Sequence, residues 1–155
     1  MGCPPYGRCL ALELSDLYSQ VIREHNRSRH NKRTLCDPTV TVPGKNPSCG
    51  DEIVLSLTLK DGIIEDAAYT GVGCAISEAS VSIMIDLIRG ATVAKASELC
   101  HLFFRMIGSE SLTREELEEL DEAVAFSGIS RMPARVKCAT MAWHTLQVAL
   151  QNASP

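Results

Sequence analysis

Two alternating apolar runs joined by a short turn most limit how this chain can fold. Residues 51–60 place a large apolar side chain at every second position, which is the period of a strand with one buried face. Residues 60–62 (Lys-Asp-Gly) make a turn, and residues 63–70 return as the partner strand. Because a hairpin brings its two open ends together, the sequence predicts that Cys74 lies close to Cys49 and Asp51.

A thiol and a carboxylate stand two residues apart where the first of these strands begins. Side chains at positions i and i+2 of an extended segment point to the same side, so Cys49 and Asp51 can bind one ion, and Gly50 between them lets the backbone bend. Cys74 is predicted at the N-terminus of a helix, where free amide groups favour a thiolate. Cys138 is predicted in or near the first turn of the last helix. Four such ligands fit tetrahedral zinc, although one or two of these cysteines can equally be small buried hydrophobic residues.

The rest of the sequence has mainly helical periodicity. A short edge strand is predicted over residues 39–42, between prolines. The predicted helices run from about residue 14 with Ser15 as N-cap, between Cys74 and Gly90, over residues 92–107, from the capping pair Thr113 and Glu116 to about residue 126, and from near Pro133. The predicted fold class is α+β, a small three-stranded antiparallel sheet packed with about five helices and a metal site at one exposed end.

The chain is expected to form one domain. Its 155 residues, 45% of them hydrophobic, suffice for one sizeable core. We expect residues 1–12 to be a loose N-terminal extension, residues 13–150 the single domain and residues 151–155 a C-terminal tail. Cys3 and Cys9 belong to the extension.

Composition excludes several classes of function. The seven cysteines are odd in number and irregularly spaced, which favours metal or sulfur chemistry in a reducing cytoplasm over disulfides. A net charge of −4 argues against nonspecific nucleic-acid binding. No apolar run approaches the roughly 18 residues of a membrane span. Phosphate-binding glycine loops and Ser-His-Asp arrangements are also absent from the sequence.

Some charged and thiol side chains have interpretations that the sequence leaves open. The basic cluster after the first helix is either a solvated helix end or a docking surface for an acidic protein; it comprises Arg23, Arg27, Arg29, Lys32 and Arg33. Cys36 is either a free surface thiol or a spare sulfur relay, and Cys100 is predicted to be core. The histidines are predicted to be helix-face or solvated groups without ligand-like spacing: His25, His30, His101 and His144.

Three segments of the chain resemble the three cysteine motifs of the U-type iron-sulfur assembly proteins. They are residues 46–51 (NPSCGD), 71–77 (GVGCAIS) and 133–139 (PARVKCA), they appear in the family's order, and the resemblance covers about residues 14–150. The chain resembles the SufU type more than the IscU type. Lys137 stands where IscU-type scaffolds have a histidine, and the interval from Cys74 to Cys138 is longer by roughly one helical segment.

The resemblance implies a zinc-dependent sulfur carrier that serves a SufS-type pyridoxal-phosphate cysteine desulfurase. The positions matching Cys49, Asp51, Cys74 and Cys138 bind zinc in SufU-like proteins, and Cys49 matches the acceptor thiol. A desulfurase histidine is implied to take the place of Cys49 on zinc, after which Cys49 takes the outer persulfide sulfur to a downstream scaffold. The alternatives are an IscU-like scaffold on which iron-sulfur clusters are assembled and a purely structural zinc domain.

Two cations next to the last cysteine are candidates for supporting this site. Three thiolates and a carboxylate around a dication leave a formal charge of −2, so nearby positive charge should help to hold the site. Arg135 and Lys137 are the candidates, either for this role or for docking a partner. The alternative is that both are ordinary solvated charges at a helix start.

Overall fold

The structure is a computed structural model that describes the backbone of residues 7–153 and the side chains of residues 18–153. Within this range the strands are β1 (Val40–Asn46), β2 (Asp51–Lys60) and β3 (Ile63–Val72). The α-helices are α1 (Gly7–Ser28), α2 (Ala75–Ile88), α3 (Val93–Ile107), α4 (Arg114–Leu120) and α5 (Pro133–Ala153), and short 3-10 helices span Asp121–Phe126 and Ile129–Arg131. This architecture confirms the predicted α+β class.

The three strands form one antiparallel sheet in the order β1-β2-β3. Leu55 pairs with Tyr69 on one side and with Val42 on the other, and the alternating side chains Ile53, Leu55 and Leu57 are completely buried. The predicted hairpin is therefore confirmed. Its register sets Glu52 opposite Val72, which brings the start of β2 to the segment that leads into α2.

The edge strand β1 is longer than the sequence indicated. It continues through Pro43 to Asn46 and pairs with β2 along its whole length, because an edge strand can accommodate a residue without an N–H. Gly44 faces α5, and an added Cβ there would collide with the side chain of Thr145. The longer strand carries Asn46 to a position opposite Asp51.

Helix α5 is the central helix of the core and packs against β1, β2, α2 and α3. Its Trp143 is completely buried and stacks on Phe103 with ring centroids 4.1 Å apart. The indole Nε1–H donates to Ser80 Oγ of α2 at 3.2 Å, and the Ser80 hydroxyl donates to Ala139 O at 2.6 Å. These contacts fix α2 and α5, which both carry cysteines. No helix within residues 7–153 is both long and apolar enough to cross a lipid bilayer.

The first and last helices extend beyond their predicted limits. Helix α1 begins at Gly7, so residues 7–12 are helical and Ser15 lies inside the helix and is not its N-cap; residues 1–6 lie outside the described part. Helix α5 continues to Ala153, which includes most of the predicted tail. Neither helix contains a Pro or Gly after its first residue, so nothing in the sequence stops it early. The predicted domain boundaries stay a prediction.

The predicted fourth helix is divided in two. The capping box of Thr113 and Glu116 is confirmed by both of its hydrogen bonds, but α4 ends at Leu120. Asp121 has a φ of 47°, a left-handed conformation that ends an α-helix. The chain then continues as a 3-10 helix that buries Phe126 edge-on against Phe103.

Replacing Gly71 with Ala should destabilise the hairpin near its open end. Gly71 has a φ of +109°, and a Cβ there would collide with the carbonyl oxygen of Glu52. We expect Gly71→Ala to lower the free energy of unfolding by about 2 kcal/mol or more, measured by urea denaturation. Gly128→Ala is the matched control, since an added Cβ there meets open space at a negative φ. Equal free energies of unfolding for the two variants would contradict the close approach of Gly71 to Glu52.

Candidate metal centre

A four-residue turn between β1 and β2 presents the first cysteine. The strand pair Asn46 and Asp51 closes this turn, and the Cys49 amide donates to Asn46 O at 3.2 Å. Gly50 has a φ of +70°, which favours glycine. Cys49 is therefore exposed on a turn, and the expectation that it shares an extended segment with Asp51 is wrong. The turn, and not strand alternation, directs its thiol to the site.

The Asp51 carboxylate is the buried anchor of the site. It is only 2% exposed and accepts hydrogen bonds from three residues, one at the end of β1 and two at the start of α2. The Cys74 amide donates to Oδ1 at 2.8 Å, the Ser77 hydroxyl to Oδ2 at 2.6 Å and the Asn46 side-chain amide to Oδ2 at 3.3 Å. Hydrogen bonds of this kind stabilise a buried carboxylate and fix its orientation.

Cys138 supplies a buried thiol from α5. It lies five residues after Pro133, in the second turn of α5 and next to the first, as the sequence predicted. Its Sγ is 3.1 Å from the Cys49 Sγ and 3.6 Å from the Asn46 side-chain nitrogen. Burial raises the pKa of the Cys138 thiol, and the neighbouring thiols of Cys49 and Cys74 and the Asp51 charge raise it further.

Cys74 is the N-cap of α2, which confirms its predicted place at a helix N-terminus. Its Sγ accepts the Ser77 amide hydrogen at 3.4 Å and lies 3.3 Å from the Ser77 hydroxyl oxygen. The ligand atoms of Cys49, Asp51 and Cys138 all lie within 4.8 Å of one another. Cys74 stands outside this group of three, with its thiol directed to Ser77 and its amide to Asp51.

The donor atoms of this cluster fit zinc. Two thiolates on one tetrahedral zinc, at about 2.3 Å each, are separated by about 3.7 Å, close to the observed 3.1 Å between Cys49 and Cys138. Thiolate and carboxylate ligands are typical of this borderline-soft ion. Concentrated thiols and a carboxylate also repel one another once ionised, so the cluster favours a bound cation.

Comparison with known proteins gives the same assignment as the cysteine motifs. The family model described as "NifU-like N terminal domain" matches residues 17–153. The chain belongs to this family. Within it, the chain is 39% identical over 138 residues to a Thermotoga maritima protein named iron-sulfur cluster assembly scaffold protein IscU, covering 89% of this chain and 95% of that protein.

Other family members carry different functional names. A Bacillus subtilis protein named zinc-dependent sulfurtransferase SufU is 38% identical over 134 residues, covering 86% of this chain and 89% of that protein. A crystal structure from Fervidobacterium islandicum AW-1, described as a candidate iron-sulfur cluster assembly scaffold protein for the SUF system, matches with a TM-score of 0.80 and 31% identity. That match covers 86% of this chain and 96% of that chain. The family and the fold are therefore shown, while the names divide between scaffold and sulfurtransferase.

Sequence reasoning did not assign roles to two residues of the family motifs, Asn46 and Ser77. Asn46 bridges Asp51 and Cys138, and Ser77 bridges Asp51 and Cys74. The role of Ser77 could have been found from the sequence, because Ser77 stands three residues after the predicted N-cap, where its amide meets the capping side chain. No local pattern indicated the role of Asn46, since its contacts depend on the extension of β1.

The two predicted cations lie near the site without contacting it. Arg135 and Lys137 are exposed in the first turns of α5, and in residues 18–153 neither forms an ion pair. Lys137 borders a groove of about 380 Å³ between β1 and α5. A supporting or docking role for both remains a prediction.

The remaining cysteines and the basic cluster lie elsewhere. Cys100 is buried, as predicted, and burial raises its pKa to about 12. Cys36 is exposed, and the side chains of Cys3 and Cys9 lie outside the described residues. In the basic cluster, Lys32 pairs with Glu78 at 2.9 Å and Arg33 pairs with Asp66. These two cations are therefore paired with carboxylates of the fold, which neither interpretation of the cluster foresaw.

Removing the Ser77 hydroxyl should loosen the metal centre without unfolding the chain. Ser77→Ala leaves Asp51 Oδ2 without its 2.6 Å donor, so we expect a 10-fold to 100-fold loss of zinc affinity, measured by competition with a chromophoric chelator. Ser82→Ala is the matched control, because Ser82 is a buried serine of α2 whose hydroxyl contacts His25 and Asn31, away from the cysteines. An equal loss of zinc affinity in both variants would contradict the role of Ser77.

Proposed function

We propose that this protein is a zinc-dependent sulfur carrier. It accepts persulfide sulfur from a SufS-type pyridoxal-phosphate cysteine desulfurase, stimulates that enzyme and passes the sulfur to a downstream scaffold for iron-sulfur cluster assembly. The Bacillus subtilis relative that is named a zinc-dependent sulfurtransferase supports this proposal. The resemblance of the three cysteine motifs to the SufU type supports it further.

The observation that carries the proposal is the unequal exposure of the clustered side chains. Cys49 is exposed at the tip of a turn, whereas Cys138 is 3% exposed and Asp51 is 2% exposed. An acceptor thiol must be reached by a persulfide on another protein, and within this cluster Cys49 meets that requirement best. Buried groups suit the other role, which is to hold a metal ion in a fixed geometry.

We assign Cys49, Asp51, Cys74 and Cys138 as the zinc ligands. Bound zinc supplies positive charge that keeps the thiols deprotonated at neutral pH. The chain contributes orientation: Asp51 is fixed by its three donors, and Cys74 is placed at the helix N-terminus. The Cys74 thiol neighbours Cys138 and helps to raise the pKa of that thiol, which supports its place beside the other three ligands.

The transfer step exchanges one sulfur-sulfur bond for another. The Cys49 thiolate attacks the outer sulfur of the desulfurase persulfide and forms a new S–S bond. The persulfide S–S bond breaks, and its electron pair leaves with the desulfurase cysteine as a thiolate. No external oxidant or reductant is needed. Because the thiols must stay reduced, we assign this activity to the cytoplasm.

A scaffold for cluster assembly is the second candidate function. The relatives from Thermotoga maritima and Streptococcus pyogenes are named IscU scaffold proteins, at 39% and 36% identity. On this hypothesis the same cysteines hold an iron-sulfur cluster as cargo. Lys137 weighs against it, because it stands where IscU-type scaffolds have a histidine, and a protonated lysine has no lone pair for iron.

Sulfur transfer can be tested on the Cys49 peptide. After the zinc-loaded protein is incubated with a SufS-type desulfurase and cysteine, non-reducing peptide mass spectrometry should find one added sulfur on Cys49. Cys49→Ala should reduce the sulfur accepted by at least tenfold. The matched control is Cys36→Ala, which removes another exposed thiol and should change transfer by less than twofold.

Two results would contradict the carrier proposal. One is an unmodified Cys49 beside an active desulfurase. The other is a stable iron-sulfur chromophore, formed by anaerobic reconstitution with iron and sulfide and lost in Cys49→Ala, in a protein that accepts no persulfide. That second result would establish the scaffold function instead.

A further inference from the structure

Two histidines and two carboxylates meet at the opposite end of α2 from the cysteines. His25, His30, Asp86 and Glu122 border one cavity of about 450 Å³. Asp86 lies twelve residues after Cys74, about 18 Å away along the helix, so the cavity is separate from the metal centre described above. We propose that these residues form a second metal site, for a divalent first-row transition ion with nitrogen and oxygen ligands.

The structure brings these residues together from distant parts of the chain. His25 lies on α1, His30 follows that helix, Asp86 is in the last turn of α2 and Glu122 is in the 3-10 helix after α4. The two histidines have no ligand-like spacing along the chain, yet their ring centroids are 5.4 Å apart. Ligand atoms of His25, His30 and Asp86 all lie within 4.8 Å of one another.

Both imidazoles are oriented as metal-binding histidines are. The Nδ1 of His25 is 2.7 Å from Ser82 Oγ, and the Nδ1 of His30 is 2.6 Å from Ser28 Oγ. When each Nδ1–H donates to its serine, each Nε2 carries the lone pair that binds a metal. The Nε2 atoms already face carboxylates, Glu122 at 3.0 Å and Asp86 at 2.9 Å.

The Asp86 carboxylate is held by the fold through one oxygen and faces His30 with both. Its Oδ1 accepts from Asn31 at 2.9 Å and from Arg89 at 3.3 Å. Its Oδ2 lies 2.9 Å from His30 Nε2, and Oδ1 lies 3.1 Å from the same nitrogen. Supporting hydrogen bonds to one oxygen hold a carboxylate in place while the other binds an ion.

The donor set and burial define which ions fit. Imidazole and carboxylate ligands suit Zn²⁺, Co²⁺ and Fe²⁺, whereas the thiols of the first centre select softer ions more strongly. His25 is 6% exposed, while His30 stands at the open side of the cavity. An ion can therefore enter from the side of His30 and bind the buried His25. A bound ion would link α1, α2 and the 3-10 helix through its ligands.

Cobalt binding to protein whose cysteine centre already holds one equivalent of Zn²⁺ tests this site. We expect isothermal titration calorimetry to find one equivalent of Co²⁺, and absorption to show ligand-field bands without the thiolate-to-cobalt charge-transfer band of a cysteine site. His30→Gln should weaken this binding at least tenfold. His101→Gln is the matched control, because His101 is also exposed and lies on α3, outside the cavity.

Glu122→Gln provides a second variant that removes a ligand charge and keeps the side-chain shape. It should weaken Co²⁺ binding while the circular dichroism spectrum is unchanged. Failure to bind Co²⁺ beyond the zinc equivalent would overturn the proposal, and so would a charge-transfer band as the only signal. Equal affinity in the wild type, His30→Gln and Glu122→Gln would likewise assign these groups to an ion-pair network without a metal.

Discussion

The buried Asp51 carboxylate is the interaction on which the arrangement of the cysteines depends. Its three hydrogen bonds come from the end of β1, from the N-cap of α2 and from the first turn of that helix. A buried charge without such donors would cost several kcal/mol. The same bonds that stabilise Asp51 therefore hold the turn of Cys49 and the start of α2 in a fixed relation.

The packing of α5 completes this arrangement from the opposite side. Trp143 and Ser80 join α5 to α2, and the close approach of Gly44 to Thr145 joins it to β1. Cys138 is thereby held 3.1 Å from Cys49 although it is buried and Cys49 is exposed. Burial and neighbouring negative groups raise the pKa of Cys138, so the fold favours a cation at this point. Asp51 and Cys138 are therefore buried and fixed by the fold, while the Cys49 thiol is accessible. A sulfur carrier whose thiol is controlled by a metal requires both features.

Patterns of neighbouring residues predicted those parts of the fold that depend on neighbouring residues alone, such as the hairpin and the capping box of α4. The period-two alternation of residues 51–60 located the hairpin, and its closure correctly placed Cys74 near Asp51. The position of Cys49 on a turn was missed because the sequence did not reveal that β1 continues through Pro43 to Asn46. The histidine cavity was missed for a related reason: His25 and Glu122 are 97 positions apart, and only the packing of α1 against the 3-10 helix at Asp121–Phe126 brings them together.

X-ray absorption at the zinc edge, on protein loaded with one equivalent of Zn²⁺, would show which atoms of the cysteine centre hold the metal. We expect three sulfur neighbours at about 2.3 Å and one oxygen at about 2.0 to 2.2 Å, with two sulfurs left in Cys49→Ser. A first shell of nitrogen and oxygen alone, or one that Cys49→Ser leaves unchanged, would contradict this expectation.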